Sequence, residues 1–584
     1  MKTFFKLVLA NIVAITIVFI GFALFLVILV SASAMGEDSK EDVASNSVLT
    51  LNLNTKIIDS PTENQSSLFS QDENKSVLIY DMIEAVKNAK DDKNIMGISL
   101  EADVVSAGLT QIDDLRAALI DFKKSGKFIY AYGNTVGQSS YYLSSVADQY
   151  FLSPAGGIEL KGMSTEIMFF KDFADKYGIS TEIIRHGTFK AAVEPFMRND
   201  MSPENRLQMS TLLGDIWKNT SSKIYNSRKI DSLQFKTVVD SLYGILPELT
   251  TKYKLADKLI QKSEYDQIIR KKLNIKDDKK INRITFEKYI KSYKDEVGSS
   301  ADQVAVLYAS GTIYDGEGYN DIYAVDFIKQ IKKLADNDHV KAVVLRVNSP
   351  GGSANASDQI LFELAALKKK KLLVVSFGDY AASGGYYISM AADKIYSEPN
   401  TITGSIGVFG IIPYFKELAN KNGVKSEVVS TNANSAMYSP INGLTPGAVT
   451  IMTKNVENTY SRFVNFVSAN RKKSFAEIDE IGGGRVWSGT RAKQIGLVDE
   501  LGSLHNAIEY ATQKAGLKNP KIGTYPKKLS KFEQIFKTMD KEEISTKILE
   551  NKLGKENYEL FNQMTNPKIK EGIKMEMPYK IEIK

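Results

Sequence analysis

Lys341-Ala-Val-Val-Leu-Arg-Val347, followed directly by Asn348-Ser-Pro-Gly-Gly-Ser353, decides the fold of this chain. The first run is apolar and rich in β-branched side chains, the composition of a buried strand. The second is a Gly-rich turn. Ser357 to Lys369 then carries apolar residues at helical spacing, and Lys371-Leu-Leu-Val-Val-Ser-Phe377 is a second strand. Strand, crossover helix and strand predict a parallel sheet with helices on its faces, an α/β fold. Another Gly-rich turn leads into a second helix, Ser383 to Ala392.

The pattern occurs twice. Asp91-Asp-Lys-Asn-Ile-Met-Gly-Ile-Ser-Leu100 aligns with Asp336-Asn-Asp-His-Val-Lys-Ala-Val-Val-Leu345, an offset of 245 (336 against 91). The same offset pairs Tyr141-Tyr-Leu-Ser-Ser-Val-Ala-Asp148 with Tyr386-Tyr-Ile-Ser-Met-Ala-Ala-Asp393, and Tyr177–Ile184 with Asn422–Val429. The chain is therefore expected to hold two related domains, at 46–275 and 301–520. Residues 276–300 are charged and lack a strong apolar stripe, and are expected to link or pad the repeats. Residues 521–584 are Lys- and Glu-rich and are expected to form a peripheral, helical tail without a counterpart in the first repeat.

Leu7 to Val30 is an uncharged run of 24 residues. As a helix it spans roughly 36 Å, against a bilayer core of about 30 Å. Lys2 and Lys6 precede it and Gly36-Glu-Asp-Ser-Lys-Glu-Asp42 follows, so the positive-inside rule leaves the tip in the cytoplasm and exports the rest. Ala32-Ser33-Ala34 resembles a cleavage site, but the run exceeds the apolar core of a signal peptide, about 7–15 residues. Residues 1–35 are thus expected to be a retained transmembrane anchor.

Composition narrows the chemistry. The 584 residues include no cysteine, which excludes disulfides, thiolate nucleophiles and Cys-ligated metals. The three histidines, His186, His339 and His505, form no His-Glu-x-x-His motif. A net charge of +6 over this length does not suggest a nucleic-acid partner, and no metal or cofactor is called for.

Ser383, in Gly378-Asp-Tyr-Ala-Ala-Ser-Gly-Gly-Tyr386, falls between a strand end and a helix start. Exposed N–H groups at such a helix start can face a developing oxyanion. A serine there is also a favoured helix cap, and the segment alone leaves both roles open. Gly351 or Gly352, at the carboxyl edge of the same sheet, could donate a second oxyanion N–H, or simply turn the chain. A nucleophilic serine needs a base. His186 is one candidate. Lys190, in Phe189-Lys-Ala-Ala-Val-Glu-Pro-Phe196, is the other. Lowering a lysine by about three units from its usual 10.4 takes roughly 4 kcal/mol of differential destabilisation, which an apolar pocket can supply; an ordinary surface lysine is the alternative.

Together the duplication, the N-terminal run, Arg346-Val-Asn-Ser-Pro-Gly-Gly352, Ala381-Ala-Ser-Gly-Gly-Tyr386, Thr401-Ile-Thr-Gly-Ser-Ile-Gly407 and Phe189–Phe196 resemble the signal peptide peptidase A (protease IV) family in its long, duplicated form. The resemblance implies two tandem crotonase/Clp-protease-like repeats after a transmembrane helix, and a Ser-Lys dyad. It makes Ser383 the nucleophile, Lys190 the general base, Ser405 the residue that orients the lysine, and Gly351 an oxyanion donor, with Gly384 beside it. It further implies an endopeptidase that degrades apolar remnants of cleaved signal peptides, a homotetramer, and a single-pass inner-membrane location with the catalytic domains on the periplasmic side. Tyr380 stands at a variable position and leaves the pocket shape open.

The duplication offers a separate check. At the offset of 245, Ser383 corresponds to Gln138, beside Ser139, and Lys190 corresponds to Ser435. The expectation is one dyad per chain, shared between the repeats. Two rivals are an inactive peptide-binding scaffold, disfavoured by the complete dyad, and an acyl-CoA enzyme, disfavoured by export.

Overall fold

The structure, a computed structural model, describes residues 15–21, 42–52, 55–61, 76–276, 279–293, 300–318, 321–527 and 574–577. The first repeat builds a parallel sheet from β1 (Ser47–Asn52), β2 (Ile95–Glu101), β3 (Phe128–Val136) and β4 (Gln149–Ile158). The chain then runs through β5 (Ser180–His186), which leaves this sheet, and returns with β6 (Lys258–Leu259) and β7 (Asn282–Thr285). The strand order is β6-β4-β3-β2-β1-β7.

The second repeat opens with β8 (Gln303–Ser310), two short strands β9 (Ile313–Tyr314) and β10 (Ile322–Tyr323), then β11 (Val340–Ser349) and β12 (Gly351–Ser353). It continues through β13 (Leu372–Ala382), β14 (Ile402–Gly404), β15 (Val408–Tyr414), β16 (Val486–Ser488) and β17 (Lys521–Tyr525). Its main sheet has the order β16-β14-β13-β11-β8-β17, parallel except for β16. The apolar runs of β8, β11 and β13 are buried on both faces, as parallel strands covered by helices must be. Alternate residues divide between two cores: Leu307, Val343, Leu345 and Val375 face one, Val306, Val344 and Val374 the other.

A third, mixed sheet joins the repeats in the order β10-β9-β12-β18-β15-β5, where β18 is Lys574–Glu576. Here β5 of the first repeat pairs antiparallel with β15 of the second along its whole length, from Val408 opposite His186 to Tyr414 opposite Ser180. The helix Pro203–Arg228, α1, lies across the same junction, where its Asp215 accepts from Ser488 and forms an ion pair with Arg491.

Three boundaries expected from the sequence change. Residues 276–300 are not merely a linker: β7 extends the first sheet beside β1, and Phe286, Tyr289 and Ile290 of the following helix are buried in the first core. Residues 521–525 stand beside β8 as β7 stands beside β1, so part of the expected tail does have a counterpart. Residues 574–577 form a strand with Met575 and Met577 buried, not a peripheral helix. A strand takes its place from a backbone ladder, which charged side chains do not forbid.

Residues 15–21 are helical; the remainder of the expected anchor lies outside the described residues. Among the described residues no helix is long and apolar enough to cross a membrane.

Candidate active site

Ser383 follows β13 and precedes the short helix Gly384–Ile388, α2. Its backbone has φ 55° and ψ −114°, a conformation that costs a non-glycine residue about 1–3 kcal/mol. Although it holds the cap position, its side chain caps nothing. It is held instead by its N–H donating to Gly404 O at 2.8 Å, and its hydroxyl is buried.

The partner of that hydroxyl comes from the first repeat. Lys190 is fully buried and its Nζ donates to Ser383 Oγ at 2.9 Å, to Ser405 Oγ at 3.0 Å and to Ser405 O at 3.2 Å. Ser383 and Lys190 are 193 residues apart in sequence. The ladder between β5 and β15 brings them together, because Lys190 lies four residues beyond the end of β5 at His186. Ser405 precedes β15, has φ 50°, and is fixed by its N–H donating to Arg485 O at 2.7 Å.

The apolar surroundings expected from the sequence are partly different. Ala191 and Val193 are buried and the Phe409 ring stands 5.8 Å from Lys190 Nζ. Phe196, by contrast, is exposed and stacks on Phe170. His186, the alternative base, is committed elsewhere: its Nδ1 is 2.7 Å from Glu457 Oε2 and its ring stacks on Tyr460.

Gly351 and Gly384 pack against each other next to Ser383. Gly351 has φ 106° and its N–H donates to Ser349 Oγ at 3.2 Å, so it is already engaged. Gly384 opens α2, where an N–H has no partner within the helix. Between β12 and β15 lies β18, antiparallel to both.

At the duplicate positions the chemistry is absent. Gln138 fixes a turn through Gly162, Ser139 is exposed, and Ser435 lies in an exposed loop.

Several contributors escaped the sequence reading. The segment before Lys190 rests on Gly482-Gly-Gly484: Phe189 N–H donates to Gly483 O at 3.1 Å, and a β-carbon on Gly484 would stand 2.6 Å from Lys190 N and Cβ. Three successive glycines were the available signal. Gln208 of α1 bridges the repeats, donating to Phe189 O and accepting from Val486 N. The buried Glu194 accepts from Ser202 and Asn205 at the start of α1. Beneath the sheet edge, buried Arg346 donates to Asp59, Ser376 Oγ and Phe377 O. Burial opposes its charge, but Asp59 more than offsets this and holds its pKa above the usual guanidinium range. Burial also pushes Asp114 up to about 7 and Glu398 well above the carboxylate range.

A serine held against a buried amine at the carboxyl edge of a parallel sheet is the arrangement of a serine hydrolase. The sequence pattern of peptidase family S49 matches residues 121–276 and 365–518, more than half of the chain, and that of Clp protease matches residues 294–403. Protease 4 of Haemophilus influenzae is 36% identical over 517 residues, covering 85% of this chain and 83% of that protein. Protease 4 of Salmonella typhi is 35% identical over 525 residues, covering 86% and 84%. The chloroplastic serine protease SPPA of Arabidopsis thaliana is 30% identical over 490 residues, covering 81% and 70%. The chain belongs to peptidase family S49 and is a serine protease with two S49, Clp-protease-like repeats.

Proposed function

We propose that the protein is a membrane-anchored endopeptidase that degrades cleaved signal peptides through one Ser383–Lys190 dyad per chain. The observation that carries this reading is the 2.9 Å contact between Lys190 Nζ and Ser383 Oγ, both buried and each supplied by a different repeat. Neutral Lys190 takes the hydroxyl proton as Ser383 Oγ attacks a peptide carbonyl. Ser405 holds the amine in line through its hydroxyl and carbonyl. Backbone N–H groups of Gly384 and Gly352 stabilise the oxyanion. Lys190 then protonates the leaving amine, and water hydrolyses the ester.

Apolar peptides suit the site, since Ala382, Ile402 and Val486 at the sheet edge next to Ser383 form a buried apolar cluster with Met577. Anchoring by residues 7–30, exposure of the repeats on the periplasmic side and a tetrameric assembly complete the proposal. Protease accessibility in spheroplasts and sizing in detergent test these points. The dyad itself is tested by covalent labelling with a fluorophosphonate, the modified residue being mapped, and by cleavage of a quenched apolar peptide. Labelling is expected at Ser383 and is lost in Ser383→Ala. Turnover retained by folded Lys190→Ala would sink the dyad, and faster cleavage of unstructured polar peptides than of signal peptides would sink the substrate assignment.

A further inference from the structure

Residues 187–190 carry the lysine but belong to no helix or strand. A lysine amine sits at the end of a long flexible stem, so its aim depends on how firmly the backbone beneath it is held. Two contacts hold that backbone, one at each end of the turn. At its start the His186 ring stacks on Tyr460, with centroids 3.6 Å apart and planes 23° from parallel. At its end Phe189 N–H donates to Gly483 O at 3.1 Å, and Gly483 N–H in turn donates to Tyr460 Oη at 3.2 Å. A β-carbon on Gly187 would stand 2.3 Å from Gly483 O, so the lysine turn lies directly on the glycine turn. Both supports therefore end on one side chain of the other repeat.

Tyr460 lies on the helix Pro446–Arg471, α3, where Val456, Tyr460, Phe463, Val464 and Val467 recur at helical spacing and are buried in the second core. By pattern it is a core aromatic. Its hydroxyl has a more particular place. It donates to Asp479 Oδ1, on the helix Phe475–Ile481, α4, and accepts from Gly483 N–H. Burial first, and then the Asp479 carboxylate, push its pKa above the usual phenol range, so the proton stays and these two roles are fixed. The turn it holds serves Ser405 as well. Gly484 N–H donates to Ile406 O, and Ser405 N–H donates to Arg485 O, both at 2.7 Å. Through residues 483–485 a single hydroxyl thus reaches the lysine and the serine that orients it.

We infer that Tyr460 is a positioning residue for Lys190: its hydroxyl fixes the glycine turn under Phe189 and Ser405, and its ring fixes His186. The inference rests on Lys190 being the base. Tyr460 acts through the turn and not on the reacting atoms, and no proton of the reaction passes through it. Without the hydroxyl, Gly483 N–H loses its acceptor, the turn loosens, and Lys190 Nζ loses its alignment with Ser383 Oγ. The loss falls on the step that uses the lysine, the proton transfer that acylation of Ser383 requires.

The test compares Tyr460→Phe, Asp479→Ala, Asp479→Asn and Lys190→Ala in the full chain in detergent. It measures kcat and KM on a quenched apolar peptide, the rate of fluorophosphonate labelling, peptide affinity in a Ser383→Ala background, and Tm. Tyr460→Phe keeps the ring and its stack and removes only the hydroxyl. It is expected to lower kcat and labelling rate together by about tenfold, with KM and peptide affinity within about twofold of wild type. Asp479→Ala should act in the same direction, and Asp479→Asn, which still presents an accepting oxygen, should recover most of that loss. Should Tyr460→Phe fail to fold, the two Asp479 variants decide alone, and equal kcat in both overturns the inference. A folded Tyr460→Phe that lowers only Tm, or that weakens peptide affinity and leaves labelling unchanged, also overturns it. An inactive Lys190→Ala beside a fully active Tyr460→Phe overturns the positioning role and spares the dyad; turnover retained by Lys190→Ala overturns both.

Discussion

Replacing Gly484 by alanine tests whether the site is assembled between the repeats. The added β-carbon would stand 2.6 Å from Lys190 N and Cβ and 2.7 Å from its Cα. Carbon contacts settle near 3.5–4.0 Å, so relief requires a displacement of about 1 Å. The opposing atoms include backbone, so no change of rotamer can provide it. Gly484 is itself pinned by its N–H donating to Ile406 O at 2.7 Å, and its φ of 86° adds a further cost of about 1–3 kcal/mol for a residue with a β-carbon. The lysine segment is the part that gives way. Moving Nζ by about 1 Å stretches its 2.9 Å contact with Ser383 Oγ to about 4 Å, outside hydrogen-bond reach. A misplacement of that size costs on the order of 10²-fold, or about 2.7 kcal/mol of transition-state stabilisation. The assay is kcat on a quenched apolar peptide, with Tm recorded, and with peptide affinity measured in a Ser383→Ala background. The expected result is a kcat lower by about two orders of magnitude at unchanged affinity. A Gly484→Ala enzyme within threefold of wild-type kcat would refute the reasoning.

Ser405→Ala removes one of the hydrogen bonds to Lys190 Nζ and should lower kcat about 5- to 30-fold with KM unchanged, as roughly 1–2 kcal/mol predicts; steady-state kinetics decide it. Arg346→Met strands the buried Asp59 carboxylate and should cost about 3–5 kcal/mol in urea unfolding, while adding Asp59→Leu should restore much of the loss. Burial raises Asp114 to about 7 and its hydrogen-bonded neighbour Glu398 well above the carboxylate range, so above about pH 4 the folded chain keeps protons that the unfolded chain releases. Stability from this pair is full below about pH 4 and falls as pH rises toward neutrality. Asp114→Asn should flatten the drop in urea midpoint between pH 5 and pH 8, and an unchanged drop would count against the assignment.

Sequence alone determined the elements and their duplication. Apolar β-branched runs become buried strands wherever helices cover both faces, so β11 and β13 were legible from composition, and the offset of 245 between repeats needed only alignment. It also singled out Ser383 and Lys190 as candidates, because a Gly-flanked serine and a lysine in an apolar run are local patterns. What it could not decide was which local role wins. Ser383 could have been a cap; only the tertiary structure gives it a strained backbone, no cap bond and an amine at 2.9 Å. The glycines under Lys190, the Gln208 bridge and the Asp59 partner of Arg346 act between segments more than a hundred residues apart, and no local pattern encodes such pairings. The C-terminal strand shows the same limit most plainly. Lys-Met-Glu-Met at 574–577 reads as part of a charged tail because its place is set by the open backbone edges of β12 and β15, which exist only once the two repeats have come together.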